Sequence, residues 1–328
     1  MLRNFVATLA MTLLAFSPVQ AQTLGMTGDA VDTEHQAIPT PFDTSTKRHA
    51  LGYGRLTTND IIGDGQDRWR TGSITMSRIW GYRWDGAAPS QLGQLLETRV
   101  QGQIIAPDNL KRVDLRDRPF AGALSFGLHT HSNNNGLELS LGADLVVIGP
   151  QTRLDQLQKS LHKAFGRPAA SPAVLALQIG NTMRPTVVAE LGRSYSLGDA
   201  VDLRPFAEAR AGDETLVRIG ADLTIGSVGQ GELLVRESIT GQRYRLIYRS
   251  NPGYSVVLGG DVAYVSDSVY LPEARGYQLT DHRDRLRAGL HWQGENASVF
   301  YGLTYLGREF SSQSEGQVTG SIRVKLRF

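Results

Sequence analysis

The chain has 328 residues, with 36 glycines, no cysteine and 34 basic against 32 acidic side chains, a formal net charge of +2. The absence of cysteine excludes a disulfide scaffold, a thiolate metal centre and a cysteine nucleophile, and the balanced charge leaves no electrostatic footprint for nucleic acid. A mean hydropathy of −0.23 excludes a bundle of membrane-spanning helices, each of which needs about 20 apolar residues.

In chain order, the first element stands apart from the fold. Arg3 precedes an apolar run from Phe5 to Phe16, closed by Val19-Gln20-Ala21. A run of about 12 residues has the length of a secretory h-region, and the small-x-small ending is a cleavage signal. Residues 1–21 are therefore expected to be removed on export. Residues 22–48, with Pro39 and Pro41 and little periodicity, read as an irregular N-terminal extension. The main domain is expected over 49–328.

From His49 onward the dominant period is two. Val217, Ile219, Ala221, Leu223 and Ile225 alternate with Arg218, Gly220, Asp222 and Thr224. Leu286, Ala288, Leu290 and Trp292 alternate with Arg285, Arg287, Gly289 and His291, and Ile322, Val324, Leu326 and Phe328 with Arg323, Lys325 and Arg327. Such alternation means strands with one apolar and one polar face. A soluble sandwich satisfies the same pattern, so further features decide. The segments run to about 10 residues or more, the length of a tilted membrane crossing. Their polar faces mix Gly with Arg and Asp, as a crowded lumen requires. Trp80, Tyr82, Tyr195, Tyr264, Trp292, Tyr301 and Tyr305 recur near strand ends on the apolar face, where interfacial girdles lie.

Twelve segments follow: 49–60, 69–82, 92–104, 120–131, 137–147, 183–197, 201–211, 215–226, 254–268, 284–293, 298–309 and 319–328. An even number closes a barrel with both termini on the periplasmic side. The predicted fold is all-β, a 12-stranded antiparallel transmembrane β-barrel of the bacterial outer membrane. The outer connections are then 61–68, 105–119, 148–182, 212–214, 269–283 and 310–318. The stretch 227–253 is long for a periplasmic turn and has room for extra pairing.

One segment breaks the period. Between Gln151 and Phe165, Leu154, Leu157, Leu161, Ala164 and Phe165 fall on a helical stripe, which Gly166-Arg167-Pro168 terminates. His162 lies at the edge of that stripe, one turn after Gln158. The helix belongs to an outer connection, so it is expected at the extracellular rim.

Four local motifs, in order, resemble the LpxR family of lipid A 3′-O-deacylases over about residues 50–328. They are Asn59-Asp60; Asp67-Arg68 with Thr71-Gly72; Asp117-Arg118-Pro119-Phe120-Ala121-Gly122; and Ile148-Gly149-Pro150 leading through Gln158 to His162 and Gly166. The resemblance departs at Arg70 beside Thr71, and after the helix, where Leu175 to Asn181 keep Gln178 and Asn181 but lack the family's aromatic and acid.

The resemblance implies an outer-membrane hydrolase that removes the 3′-linked acyloxyacyl group of lipid A, with calcium as cofactor and lipopolysaccharide of the outer leaflet as partner, acting as a monomer. It implies His162 as the general base, with Asn59, Asp60 and Thr71 completing the catalytic group. Ester hydrolysis needs an activated water and a stabilised oxyanion. A histidine can take the proton from water, and a hard cation held by Asp60, Asn59 and carbonyl oxygens can polarise the ester. Lys111, Arg112 and Arg118, with Gln158, are the candidates for binding substrate, the guanidinium and ammonium groups meeting phosphate.

Two other readings compete. His129-Thr130-His131-Ser132 suggests a serine hydrolase, but the topology puts it at the periplasmic end. A non-enzymatic barrel, either a small channel or a lipopolysaccharide-binding rim, would keep the fold without the chemistry. A channel should leave an open lumen, whereas the enzyme should fill it with Arg218, Asp222, Glu190, Glu208, Arg210, Arg287 and Arg323.

Overall fold

The structure, a computed structural model, describes residues 47–249 and 252–326. The expected leader 1–21, nearly all of the 22–48 extension and the terminal Phe328 lie outside the described residues. In chain order the strands are β1 (His49–Asn59), β2 (Trp69–Gly81), β3 (Leu96–Ala106), β4 (Ala121–Asn134), β5 (Leu137–Ile148), β6 (Thr182–Arg193), β7 (Tyr195–Gly198), β8 (Val201–Ala211), β9 (Glu214–Gly226), β10 (Leu233–Arg236), β11 (Arg243–Ile247), β12 (Gly253–Ser268), β13 (Arg283–Gln293), β14 (Ala297–Leu306) and β15 (Gln317–Leu326). Helices α1 (Leu154–Ala164) and α2 (Pro172–Ala176) lie between β5 and β6.

Twelve of these strands make a closed antiparallel barrel. Neighbours in sequence pair around the wall, β1 meets β15 (Thr57 opposite Ile322), and β6 meets β8 (Val187 opposite Ala211). The short β7 extends the β8 side only. It replaces the end of the predicted 183–197 strand, which breaks at Ser194. The third strand starts four residues later than expected, because Gly93 turns the chain with a φ of 81°.

Exposure separates a membrane barrel from a sandwich. On β9 the apolar residues Val217 and Ile219 are 58% and 64% exposed, whereas Arg218 is 7% and Asp222 is 9% exposed. On β13, Leu286 is 63% exposed and Arg287 only 5%. A soluble protein does the reverse. An outward apolar belt around an inward charged lining is the arrangement of a chain solvated by lipid. Tyr195, Tyr254 and Trp292 at one end, and Tyr264 and Tyr305 at the other, are exposed on this belt.

A hairpin plugs the lumen and leaves a cavity of about 780 Å³ beside it, lined in part by His131, Glu138, Arg204 and Leu234. The connection between β9 and β12 holds the extra pairing its length left room for, and it turns inward as the hairpin β10–β11. Leu233, Val235, Tyr244, Leu246 and Ile247 pack against Leu56, Ile79, Leu95 and Phe300 of the wall. Each such burial is worth about 1.5–3 kcal/mol. Glycine makes the approach possible, since a Cβ at Gly52 or Gly54 would lie 2.2 Å from the hairpin carbonyls of Leu246 or Arg245. Of the charged residues expected in the lumen, Arg218, Asp222, Glu190, Arg210 and Arg287 are in ion pairs, whereas Glu208 and Arg323 are buried, the latter over the Tyr248 ring. Arg236 of the hairpin meets Glu190 and Asp222, each at 2.8 Å. Arg204 meets Glu190 at 2.8 Å, and Asp261 gathers Arg218, Arg285 and Arg287.

The six connections 60–68, 107–120, 149–181, 212–213, 269–282 and 307–316 share one rim with both helices. They match the set expected on the outer side. The opposite rim carries the start of β1 and the roots of the inward hairpin.

Candidate active site

The helix rim is built to press α1 onto the wall. Gly149 adopts a φ of 100°, and a Cβ there would lie 2.7 Å from the backbone of Gly180, so the two ends of the 149–181 connection cross in contact. Pro150–Thr152 form a 3₁₀ turn, and Arg153 reverses the chain in the left-handed region before α1 begins. Gly122, the last residue of the Asp117-to-Gly122 motif, receives α1. A Cβ on it would stand 2.7 Å from the Thr152 hydroxyl and 2.8 Å from the Leu154 side chain.

The buried residues of α1 are Leu154, Gln158 and His162, spaced by four. This corrects the expectation drawn from the apolar stripe. Leu157 and Leu161 are only half-buried, and His162, placed by pattern at the stripe's edge, is central to the buried face. An interfacial helix can leave leucines toward lipid at no cost, so amphipathicity alone does not tell which face meets protein.

Opposite α1 stands the loop 60–68. Its backbone folds around Asp60, whose N–H donates to Thr71 O and whose carbonyl accepts from Gly63 and Gly65. Asp60 is fully buried. Its carboxylate accepts from Arg68 N at 2.7 Å, and the Thr71 hydroxyl oxygen lies 3.2 Å from it. Asn59 Oδ1 accepts from Ile61 N at 2.8 Å, which closes the turn. Thr71 is aimed by a bulge: Trp69 pairs with Ala106 and Gly72 with Ile104, leaving one extra residue on β2, with Trp69 at a φ of 52°. Such bulges redirect side chains beside functional sites. The Trp69 indole donates to Asp117 at 3.1 Å, and Asp117 also accepts from Asp108 N and Arg118 N. The third motif thus holds its own loop against the start of β2.

The two halves meet through one side chain. His162 Nε2 lies 3.2 Å from Asp67 Oδ2, and the Thr71 hydroxyl donates to Asp67 Oδ1 at 2.7 Å. His162 Nδ1 lies 2.7 Å from the Pro168 carbonyl. His162 is thus linked to Thr71, and through Thr71 to Asp60, by way of Asp67. Asp67 was legible as part of a motif but not as a site residue, because its partner is 95 positions away and on another element.

Gln158 is also enclosed here, one turn before His162, and its Nε2 has no hydrogen-bond partner among the described residues. Lys111 and Arg112 are exposed on the 107–120 loop, their amides held by Asn109. Arg118 is only 1% exposed and does not face solvent. Its guanidinium lies 3.0 Å from Glu309, in a cluster where Arg70 bonds Glu309 at 2.7 Å and Arg283 bonds Glu214 at 2.8 Å. Burial raises the Glu309 carboxyl pKa, but Arg118, Arg70 and Arg283 outweigh it and hold that group well below the usual carboxylate range. This cluster closes the lumen beneath the helix rim.

Asp60 shows the opposite balance. Burial pushes its pKa up to about 8, aided by the nearby charges of Asp67 and Asp64 and opposed by the Arg68 amide and the Thr71 hydroxyl. Among the described residues no group of three or more His, Cys, Asp or Glu side chains is arranged to hold a metal ion. Around the Asp60 carboxylate stand the Arg68 N–H, the Thr71 hydroxyl and the nearby charges of Asp67 and Asp64. An enclosed carboxylate without a cationic partner matches the chemistry of a hard-cation site. Asp64 accepts from Gln66 N and Val318 N, so it holds the loop together. His129 and His131 point into the lumen, bonded to Asp144 at 2.9 Å and Glu97 at 2.7 Å, toward the end of β4 opposite to Gly122 and α1.

The family model described as "Outer membrane protein LpxR" matches residues 7–328. Among solved structures, LpxR from Salmonella typhimurium superposes with a TM-score of 0.71 at 17% identity, covering 84% of this chain and 100% of that one. The NanC porin (7% identity, 84% and 100% covered) and the KdgM porin (8%, 84% and 98%) give TM-scores of 0.38 and 0.36. No curated protein matches the sequence. With the family model spanning nearly its whole length, this chain belongs to the LpxR family of outer membrane proteins.

Proposed function

We propose that the protein is a lipid A deacylase that hydrolyses the 3′-linked acyloxyacyl ester from the outer leaflet of the outer membrane, after export through the cleaved leader 1–21. The observation that carries this reading is the meeting of His162 on α1 with Thr71 and Asp60 of the barrel wall, at a rim flanked by the lipid-facing belt. A carbonyl oxygen only accepts, so the contact with Pro168 fixes a proton on Nδ1 and leaves Nε2 as the basic nitrogen. Nε2 takes a proton from water as the water oxygen attacks the ester carbonyl. Gln158, with its amide nitrogen unpartnered beside His162, donates to the substrate oxygen on which charge develops. Calcium, held by Asp60 and Asn59 with the oxygens around them, would supply Lewis-acid polarisation of that carbonyl. Lys111 and Arg112, exposed on the 107–120 loop of the same rim, would meet the lipid A phosphates, and Arg118 steadies that loop through Glu309.

The plugged lumen speaks against a small channel. The remaining alternative is a lipopolysaccharide-binding barrel without chemistry, and one assay separates the two. Lipid A extracted from cells making the protein should lack the 3′ acyloxyacyl unit when analysed by mass spectrometry, and His162→Ala should restore it. Unaltered lipid A with folded wild-type protein and calcium present would rule the enzyme out.

A further inference from the structure

The deacylase reading leaves Asp67 without a role, yet it is the polar link between the 60–68 loop and α1. Three features fix its carboxylate. Asp60 ties down the next residue through Arg68 N at 2.7 Å. Trp69, two positions on, is locked in the left-handed region and bonded to Asp117. The Thr71 hydroxyl then holds Oδ1 at 2.7 Å, which turns Oδ2 toward His162 Nε2 at 3.2 Å. Asp67 sits on a short, internally bonded loop and His162 on a helix pressed to the wall, so neither is free to drift.

We propose that Asp67 is the positioning residue of the site, orienting the His162 ring and stabilising the imidazolium that forms when His162 takes the proton of the attacking water. This rests on the deacylase reading. With Nδ1–H committed to Pro168, a neutral Nε2 would set its lone pair against a carboxylate lone pair. The contact is favourable with a proton on Nε2, which is the state reached after water has given up that proton. In that step a water O–H bond breaks, its electron pair goes to the attacking oxygen, and the proton goes to Nε2. The imidazolium then has a carboxylate oxygen already in place 3.2 Å from Nε2, and opposite charges at that range attract. Thr71 acts through the same carboxylate, because its hydroxyl proton goes to the nearer oxygen, that of Asp67 rather than Asp60.

The test compares wild type with Asp67→Asn and Asp67→Glu, each folded and purified in detergent with calcium, and uses two readouts. For hydrolysis of lipid A, Asp67→Asn should lower kcat about 100-fold, the scale of lost acid–base assistance, with KM within about twofold, and Asp67→Glu should recover part of the loss. For ¹⁵N-histidine-labelled protein, the ring signals of His162, assigned by their loss in His162→Gln, should show a protonated Nδ1 in all three. Only in wild type and the Glu variant should Nε2 carry the signature of a carboxylate partner. An unchanged kcat, a loss confined to KM, or an Nε2 signal indifferent to Asp67→Asn would each overturn the proposal. Should wild type leave lipid A intact, the deacylase reading fails, and the Nε2 signal alone still decides whether Asp67 holds the ring.

Discussion

Asp60 offers a quantitative check, because Asp60→Asn removes its charge while keeping its shape. In the fold its pKa is about 8, against an ordinary 3.8. Between those values the folded protein binds a proton that the unfolded chain does not, so stability must fall as pH rises through this window. The contribution is fully present below about pH 3.8 and lost above about pH 8. Each pH unit inside the window costs about 1.4 kcal/mol, so from pH 5 to pH 8 wild type should lose on the order of 4 kcal/mol. The Asn variant, whose carboxamide still accepts from Arg68 N, should be flat over the same range and more stable than wild type at pH 8. Were the ionised Asp60 carboxylate to hold calcium, as proposed above, added calcium should narrow the gap by stabilising wild type alone. Urea titration of the purified barrel in detergent, followed by tryptophan fluorescence, measures this; Trp69 lies 2% exposed beside the loop. A wild-type stability that is level or rising from pH 5 to pH 8, or an Asn variant that tracks it in parallel, would refute the burial argument.

Two further outcomes follow from the same geometry. Gly149→Ala should lower stability by about 1–3 kcal/mol through overpacking against Gly180 and reduce lipid A hydrolysis by displacing α1. Gly166→Ala, at a φ of 66° with nothing within 4 Å, should cost only about 1–2 kcal/mol of backbone strain; equal thermal shifts for the two would argue against the crossing contact. Replacing the inward hairpin 230–249 by a short turn should make the barrel conduct ions in a planar bilayer, provided it still shows the gel mobility of a folded barrel. A conductance equal to that of wild type would mean that the hairpin is not the plug.

The wall was legible because its information is local. Side chains alternate across a strand whatever the strand's neighbours, so Arg218 and Ile219 declared opposite faces from the sequence alone. An even number of such segments then dictated closure and assigned the connections to two rims. The charges on the polar face also assigned it to the lumen, and the folded barrel has Ile219 exposed and Arg218 enclosed. The motifs named His162, Thr71 and Asp60, but each has a local explanation as cap, strand residue or turn, and spacing could not set the distances between them.

The sequence by itself determined a strand-built barrel with one rim helix and a charged lining, because those features depend on periods of 2 and 3.6 within a single segment. Only the tertiary structure decided how α1 is rolled, that the 227–252 connection turns inward, and that Asp67 stands between His162 and Thr71. These rest on close approaches at Gly149, Gly122, Gly52 and Gly54 and on a left-handed Trp69. Contacts between distant segments are fixed by the packing of the whole wall and leave no periodic trace in the chain.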